Sequence, residues 1–178
     1  MKSKINFHLS AFTLVEALIA MSILIIGIIS SFILVTRALY NTSIIQDRLT
    51  ASFLAQEGLE LVREIRDSNY INRINNGTGN WNDGLQSGTY RISFENGNIL
   101  IKTITNPSEA TLYFHDDTGL FDYNSVGGVL TSFNRQIQID PILGSDHELR
   151  ITVTVSWQTK GIGYKLQAED HLFDWLPL

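Results

Sequence analysis

Residues Phe12 to Val35 read FTLVEALIAMSILIIGIISSFILV, and from Ala17 to Thr36 the chain runs twenty residues without a charge. As a helix, about 20 such residues rise ~30 Å, the thickness of the hydrocarbon core of a bilayer. A stretch like this does not fold into an ordinary small domain. It reads as a membrane-spanning segment. One carboxylate, Glu16, stands just inside the apolar edge, and a short leader with Lys2 and Lys4 precedes it. An unpaired charge in lipid costs several kcal/mol, so the position asks for something that neutralises Glu16.

A secretory signal peptide has the same basic start, but its apolar region is ~7–15 residues long and ends at a small-residue cleavage site. This run is longer, and Val35-Thr36-Arg37-Ala38-Leu39 after it holds no A-x-A pattern. The segment is therefore expected to stay as an anchor. Lys2 and Lys4 place its N-terminus in the cytoplasm by the positive-inside bias, with Arg37 at the far end weakening the asymmetry.

The arrangement resembles the N-terminus of type IV pilins and of the pseudopilins of type II secretion. The residues that carry the resemblance are Ala11, then Phe12-Thr13-Leu14-Val15-Glu16, then the apolar run, covering about residues 1 to 35. It implies a leader over residues 1–11 removed by a prepilin peptidase between Ala11 and Phe12, with N-methylation of Phe12 by the same machinery. It also implies that Glu16, fifth in the mature chain, pairs with the N-terminal amine of a neighbouring subunit and sets register during assembly. The partners implied are the peptidase/methyltransferase, other pilin subunits, an inner-membrane assembly platform, and the membrane itself before assembly. Ala11 departs from the family, which has Gly at that place; Ala is the next smallest residue, and cleavage is expected to survive. On the residues alone, two other accounts of Glu16 stay open: snorkelling to the interface, or pairing with its own N-terminus four residues away.

No proline occurs before Pro107, and the only glycines from Phe12 to Arg66 are Gly27 and Gly58, so nothing stops the helix at the membrane surface. The expected division is 12–36 for the membrane or assembly half of one long helix and 37–67 for an amphipathic half. In the latter, Ile44, Ala51, Leu54, Ala55, Gly58, Leu61, Val62 and Ile65 recur at helical spacing. Asp47, Arg48, Gln56, Glu57, Glu60, Arg63, Glu64 and Arg66 take the polar face. Arg63 and Asp67, four apart, are expected to attract. Gly27 either lets helices approach or is plain tolerance of glycine in membrane helices. Ser22, Ser30 and Ser31 can bond back to helix carbonyls.

Residues 68–178 are expected to form an exported, β-rich head. Asp67 to Gly88 has loop composition, with Trp81 and Leu85 tucked onto the core. Tyr90, Ile92 and Phe94 alternate, Asn96-Gly97 supplies a two-residue turn, and Ile99 and Ile101 begin the return strand. Short strands are expected at 112–114 and 120–123. Phe133, Arg135, Ile137 and Ile139 then alternate up to Pro141, and Ile151, Val153, Val155 and Trp157 form another inward face. Gly161-Ile162-Gly163 is expected to turn the chain into a last strand from about 164 to 172. The fold class is α+β: one long helix followed by an antiparallel sheet, which is also what the resemblance implies.

The chain has no cysteine, which excludes disulfides, zinc–thiolate sites and cysteine nucleophiles. Net charge is −5; with Lys2 and Lys4 removed, eleven basic side chains face eighteen acidic ones, a balance of −7 that argues against nonspecific nucleic-acid binding. A DNA-uptake role would need a local basic patch, for instance from Arg135, Arg150, Lys160 and Lys165. No catalytic motif and no His/Cys ligand spacing occurs, so neither an enzyme nor a cofactor is expected. Asp116, Asp117 and Asp122 make a calcium candidate without the D-x-D-x-D-G register, and Asp and Gly are equally what a plain turn uses. The expectation is a structural subunit, a minor pilin or pseudopilin, first in the inner membrane and then in a filament. A permanently anchored extracytoplasmic binding domain is the rival of another class.

Overall fold

The computed structural model describes residues 13–95, 97–145 and 147–175, and the chain divides into two units, Met1–Ser43 and Ile44–Leu178. A single helix, α1 (Leu14–Asn76), supplies the described part of the first unit and enters the second. Seven strands follow: β1 (Gly88–Glu95), β2 (Asn98–Thr103), β3 (Thr111–His115), β4 (Leu120–Asp122), β5 (Val129–Pro141), β6 (Glu148–Thr159) and β7 (Ile162–Phe173). They form one antiparallel sheet, so the α+β class expected from the change of hydrophobic period is the class observed.

In the second unit the amphipathic stripe packs on the sheet. Ala51, Leu54, Ala55, Gly58, Leu61 and Val62 are buried against the inward residues Ile92, Ile137, Ile139, Ile151, Val153 and Val155. Each large aliphatic side chain so buried contributes about 1.5–3 kcal/mol. The helix lies close on the sheet at Gly58, where an added Cβ would lie 2.9 Å from Val153 Cγ1. The absence of a side chain there allows the approach.

The sheet is forked. One edge of β5 pairs with β6 from Asn134 to Pro141. Its other edge is shared: β1 takes Ile137 to Ile139, and β3 takes Val129 to Asn134. Beyond Tyr90, β1 leaves β5 and continues with β2 alone. Arg135, fully buried, fills the fork. Its Nη2 donates to Ile92 O at 3.0 Å, Nη1 to Leu54 O at 3.2 Å and to Glu57 Oε2 at 2.8 Å, and Nε to Tyr123 Oη at 3.1 Å. The Tyr123 hydroxyl donates in turn to Arg135 O at 3.1 Å. Burial works against the charge on Arg135, but Tyr123 and Glu57 outweigh it and its pKa is raised.

Four local expectations are corrected. The helix does not end near residue 66 but runs ten residues further, into what reads as loop. Tyr70 holds it: buried, its Oη lies 3.1 Å from Phe173 O and 3.0 Å from Asp174 Oδ1 and accepts the Trp175 N–H at 2.9 Å. Asn69 Nδ2 donates to Trp81 O at 3.1 Å and Asp83 O at 2.8 Å. The stop comes at Gly77, φ 69°, whose N–H reaches Arg73 O at 2.8 Å, a left-handed cap.

The last hairpin turns on Lys160-Gly161, both with positive φ (51° and 81°), so that Thr159 pairs with Ile162 and β7 begins at Ile162. Two left-handed residues make a turn whose twist matches the strands. Arg63 turns from Asp67 to Asp170 of β7, its Nε 2.9 Å from Oδ2, and to Glu60. The fourth correction concerns Arg135: enclosed in the fork, it belongs to no surface patch. Trp81 and Leu85 are buried as expected.

Candidate functional site: an apolar helix surface with one carboxylate

The first unit presents apolar side chains around the whole helix. Leu14, Ile19, Ile23, Ile26, Ile28 and Phe32 are all exposed, and Phe32 keeps 74% of its surface. Successive residues on a helix are 100° apart, so exposure at so many consecutive positions leaves no polar face. The helix is long and apolar enough to cross a membrane, with mean hydropathy 2.8 over its most apolar window. Ser22, Ser31 and Thr36 satisfy their hydroxyls on Leu18 O, Gly27 O and Phe32 O at 2.8, 2.8 and 2.9 Å, so they carry no polarity outward. Gly27 has nothing within 4 Å of where a Cβ would stand, and a hollow between Ile23, Leu24, Ile28, Phe32 and Val35 opens over it.

Glu16 lies in the first turn and is exposed. Thr13 Oγ1 accepts its backbone N–H at 3.3 Å, and Thr13 O accepts the N–H of Ala17 at 3.2 Å. This is the first half of a capping box, Thr at the cap and Glu three residues on. The T-x-x-E spacing was readable in the sequence, and it gives Glu16 a local role beside its place in an apolar segment: a carboxylate at the positive end of the helix dipole. Its side chain has no hydrogen-bond or ion-pair partner among the described residues. Ala11 and Phe12, the expected cleavage and methylation positions, lie outside the described residues.

In the head, the structure does not gather the acidic candidates. Asp122 Oδ1 accepts the His115 Nε2–H at 2.9 Å and the Asn124 N–H at 2.7 Å, while Asp117 Oδ1 accepts the N–H of Thr118 at 3.0 Å. Among the described residues no three His, Asp or Glu side chains are placed to hold a metal. Because both partners of His115 Nε2, Asp122 and Asn124 O, are acceptors, that nitrogen carries the proton. Burial opposes charging of the ring, but the hydrogen bond and charge of Asp122 outweigh it, and the His115 pKa is raised.

The basic residues proposed as a patch are likewise dispersed. Arg135 is inside, Lys165 pairs with Ser156 near the last hairpin, and Arg150 pairs with His171 toward the far end of β6. Six residues of strand separate Arg150 from Ser156, about 20 Å. Arg150 also faces Asp140 at 3.5 Å.

The chain is thus an α+β protein with one helix able to span a membrane. Searches against protein-family models, curated proteins and solved structures return no match to it.

Proposed function

We propose that this chain is a structural subunit of a type IV pilus or pseudopilus, a minor subunit made as a membrane-anchored precursor. In this reading the N-terminus starts in the cytoplasm, the peptidase cuts between Ala11 and Phe12, Phe12 is methylated, and the helix then moves from lipid into a bundle with other subunits. The observation that carries it is the all-round apolar surface of Leu14 to Val35 with a single carboxylate at its start that has no partner among the described residues. Such a surface suits lipid and a helix bundle equally. A carboxylate taken into a bundle requires a cation, and cleavage before Phe12 would create an α-amine with a pKa near ~8. The head has the role of a rigid, disulfide-free module carried by the helix.

A static anchor with a binding head is the second reading, and the first-turn position of Glu16 favours it, because the helix dipole attracts a carboxylate there without any neighbour. Glu16→Ala separates the two. A subunit needs the carboxylate for assembly, so the variant is expected to be cut normally and to be missing from sheared filaments. Recovery of the variant in filaments at wild-type level would remove the pairing argument. A DNA-uptake role loses its expected patch with the burial of Arg135.

A further inference from the structure

On the face of the sheet away from the helix, the fork leaves a cavity of about 260 Å³ between the β1–β2 hairpin and residues 123–124. Arg91 and Lys102 line it, and they are direct partners across β1 and β2. Side chains so paired have Cβ atoms ~4.5–5.5 Å apart, and like charges there repel. Neither has an ion pair among the described residues. Lys102 has no ion pair or hydrogen bond among the described residues. Arg91 reaches only the Glu109 carbonyl, at 3.5 Å, and lies over the Tyr123 ring with Cζ 5.9 Å from its centre. Arg135 shares that ring, its Cζ 5.4 Å from the centre. The one carboxylate lining the cavity is Glu95, which accepts the hydroxyl of the buried Ser93 at 2.6 Å. Two unpaired cations therefore meet a single hydrogen-bonded carboxylate, on a chain whose balance is otherwise acidic.

We propose that this cavity binds a small hydroxylated oxyanion, a sugar acid or sugar phosphate of about monosaccharide size. The carboxylate or phosphate sits between Arg91 and Lys102 and relieves their repulsion; a hydroxyl of the ligand donates to the remaining Glu95 oxygen, and Asn124 borders the same opening. The site rests on the head alone and does not depend on filament assembly.

Titration of the full chain in detergent with glucuronate, with glucose 6-phosphate and with glucose, followed by calorimetry, tests it. Saturable binding of at least one of the two anions and none of glucose is expected, and which anion is preferred distinguishes carboxylate from phosphate recognition. Lys102→Gln, at an exposed strand position, should weaken the preferred anion at least about tenfold. Glu95→Gln, which removes the repelling charge, should tighten it. Opposite signs at the two positions are something a packing role would not produce. Absence of anion binding, equal binding of glucose, or an unchanged affinity in Lys102→Gln would overturn the proposal.

Discussion

The guanidinium of Arg135, on the middle of β5, donates to the main-chain carbonyl of Leu54 on the helix at 3.2 Å. The same group reaches Ile92 O and Tyr123 Oη, so one side chain of β5 joins the helix, the β1 branch of the forked sheet and the segment after β4. A charge in that position is tolerated because each of its three nitrogens donates to an acceptor.

Arg135→Ala is expected to cost about 3–5 kcal/mol, since it leaves a cavity and unpaired acceptors in the fork. Glu57→Gln should cost about 1 kcal/mol or less: the Glu57 side chain is 41% exposed, and an amide oxygen can still accept from Nη1. Urea denaturation followed by tryptophan fluorescence measures both. Similar losses for the two variants would mean that the ion pair, rather than the carbonyl contacts, carries the stabilisation.

Gly58→Ala sets two effects against each other. Alanine favours the helix by about 1 kcal/mol. Its Cβ, however, would come within 2.9 and 3.2 Å of the two γ-methyls of Val153, which is fully buried and stiff at χ1. Overpacking of this kind costs about 1–3 kcal/mol, so the net change is expected to be destabilising. Val153→Ala in the same chain should recover part of it, and a double-mutant cycle reads the coupling directly.

His115 and His171 both have pKa values raised above 6.5. For His171 the hydrogen bond that its ring donates to Glu148 leads, with Glu169 adding to it against desolvation; for His115 desolvation opposes and Asp122 prevails. A raised folded-state pKa stabilises fully below the unfolded value near 6.5 and loses that contribution as pH rises through the folded value. Head stability is therefore expected to decline from about pH 6.5 upward, and His115→Gln should flatten part of the decline. NMR titration of His115 with a midpoint at or below 6.5 would refute the assignment to Asp122.

The sequence was most informative where a period is repeated. Ala51, Leu54, Ala55, Gly58, Leu61 and Val62 mark the buried stripe, and the alternations at Ile137 and Ile139 and at Ile151, Val153 and Val155 mark the core face of β5 and β6. It misled where long-range contacts decide. Residues 67–76 look like loop because Asn, Ser and Asp bond locally in isolation; in the fold, Tyr70 and Asn69 find partners 12 to 105 residues away and the helix continues. Arg135 sits in phase with three apolar residues, and that phase was the signal of its burial, outweighed in the reading by its charge. The apolar helix was legible, since an apolar run needs no partner to be recognised; Ala11 and Phe12 lie outside the described residues, and the Thr13 cap was overlooked.

Glu16→Gln offers a finer probe of assembly than removal of the side chain. It keeps the Thr13 cap, which uses the Glu16 backbone N–H, while deleting the charge that would meet an amine. Precursor processing should be unchanged and filament incorporation should fall at least about tenfold, as expected for a lost ion pair inside a bundle. Quantitative blotting of sheared and cellular fractions reads this ratio; equal ratios in variant and wild type would leave the Glu16 carboxylate with a helix-dipole role only.

The most direct measurement is the mass of the N-terminal peptide of the protein purified from its own host's membranes. The account predicts a chain beginning at Phe12 and heavier by about 14 Da for one methyl group. An intact chain from Met1, or one beginning after Val35, would contradict it: the first would leave a static anchor, the second a removed signal sequence.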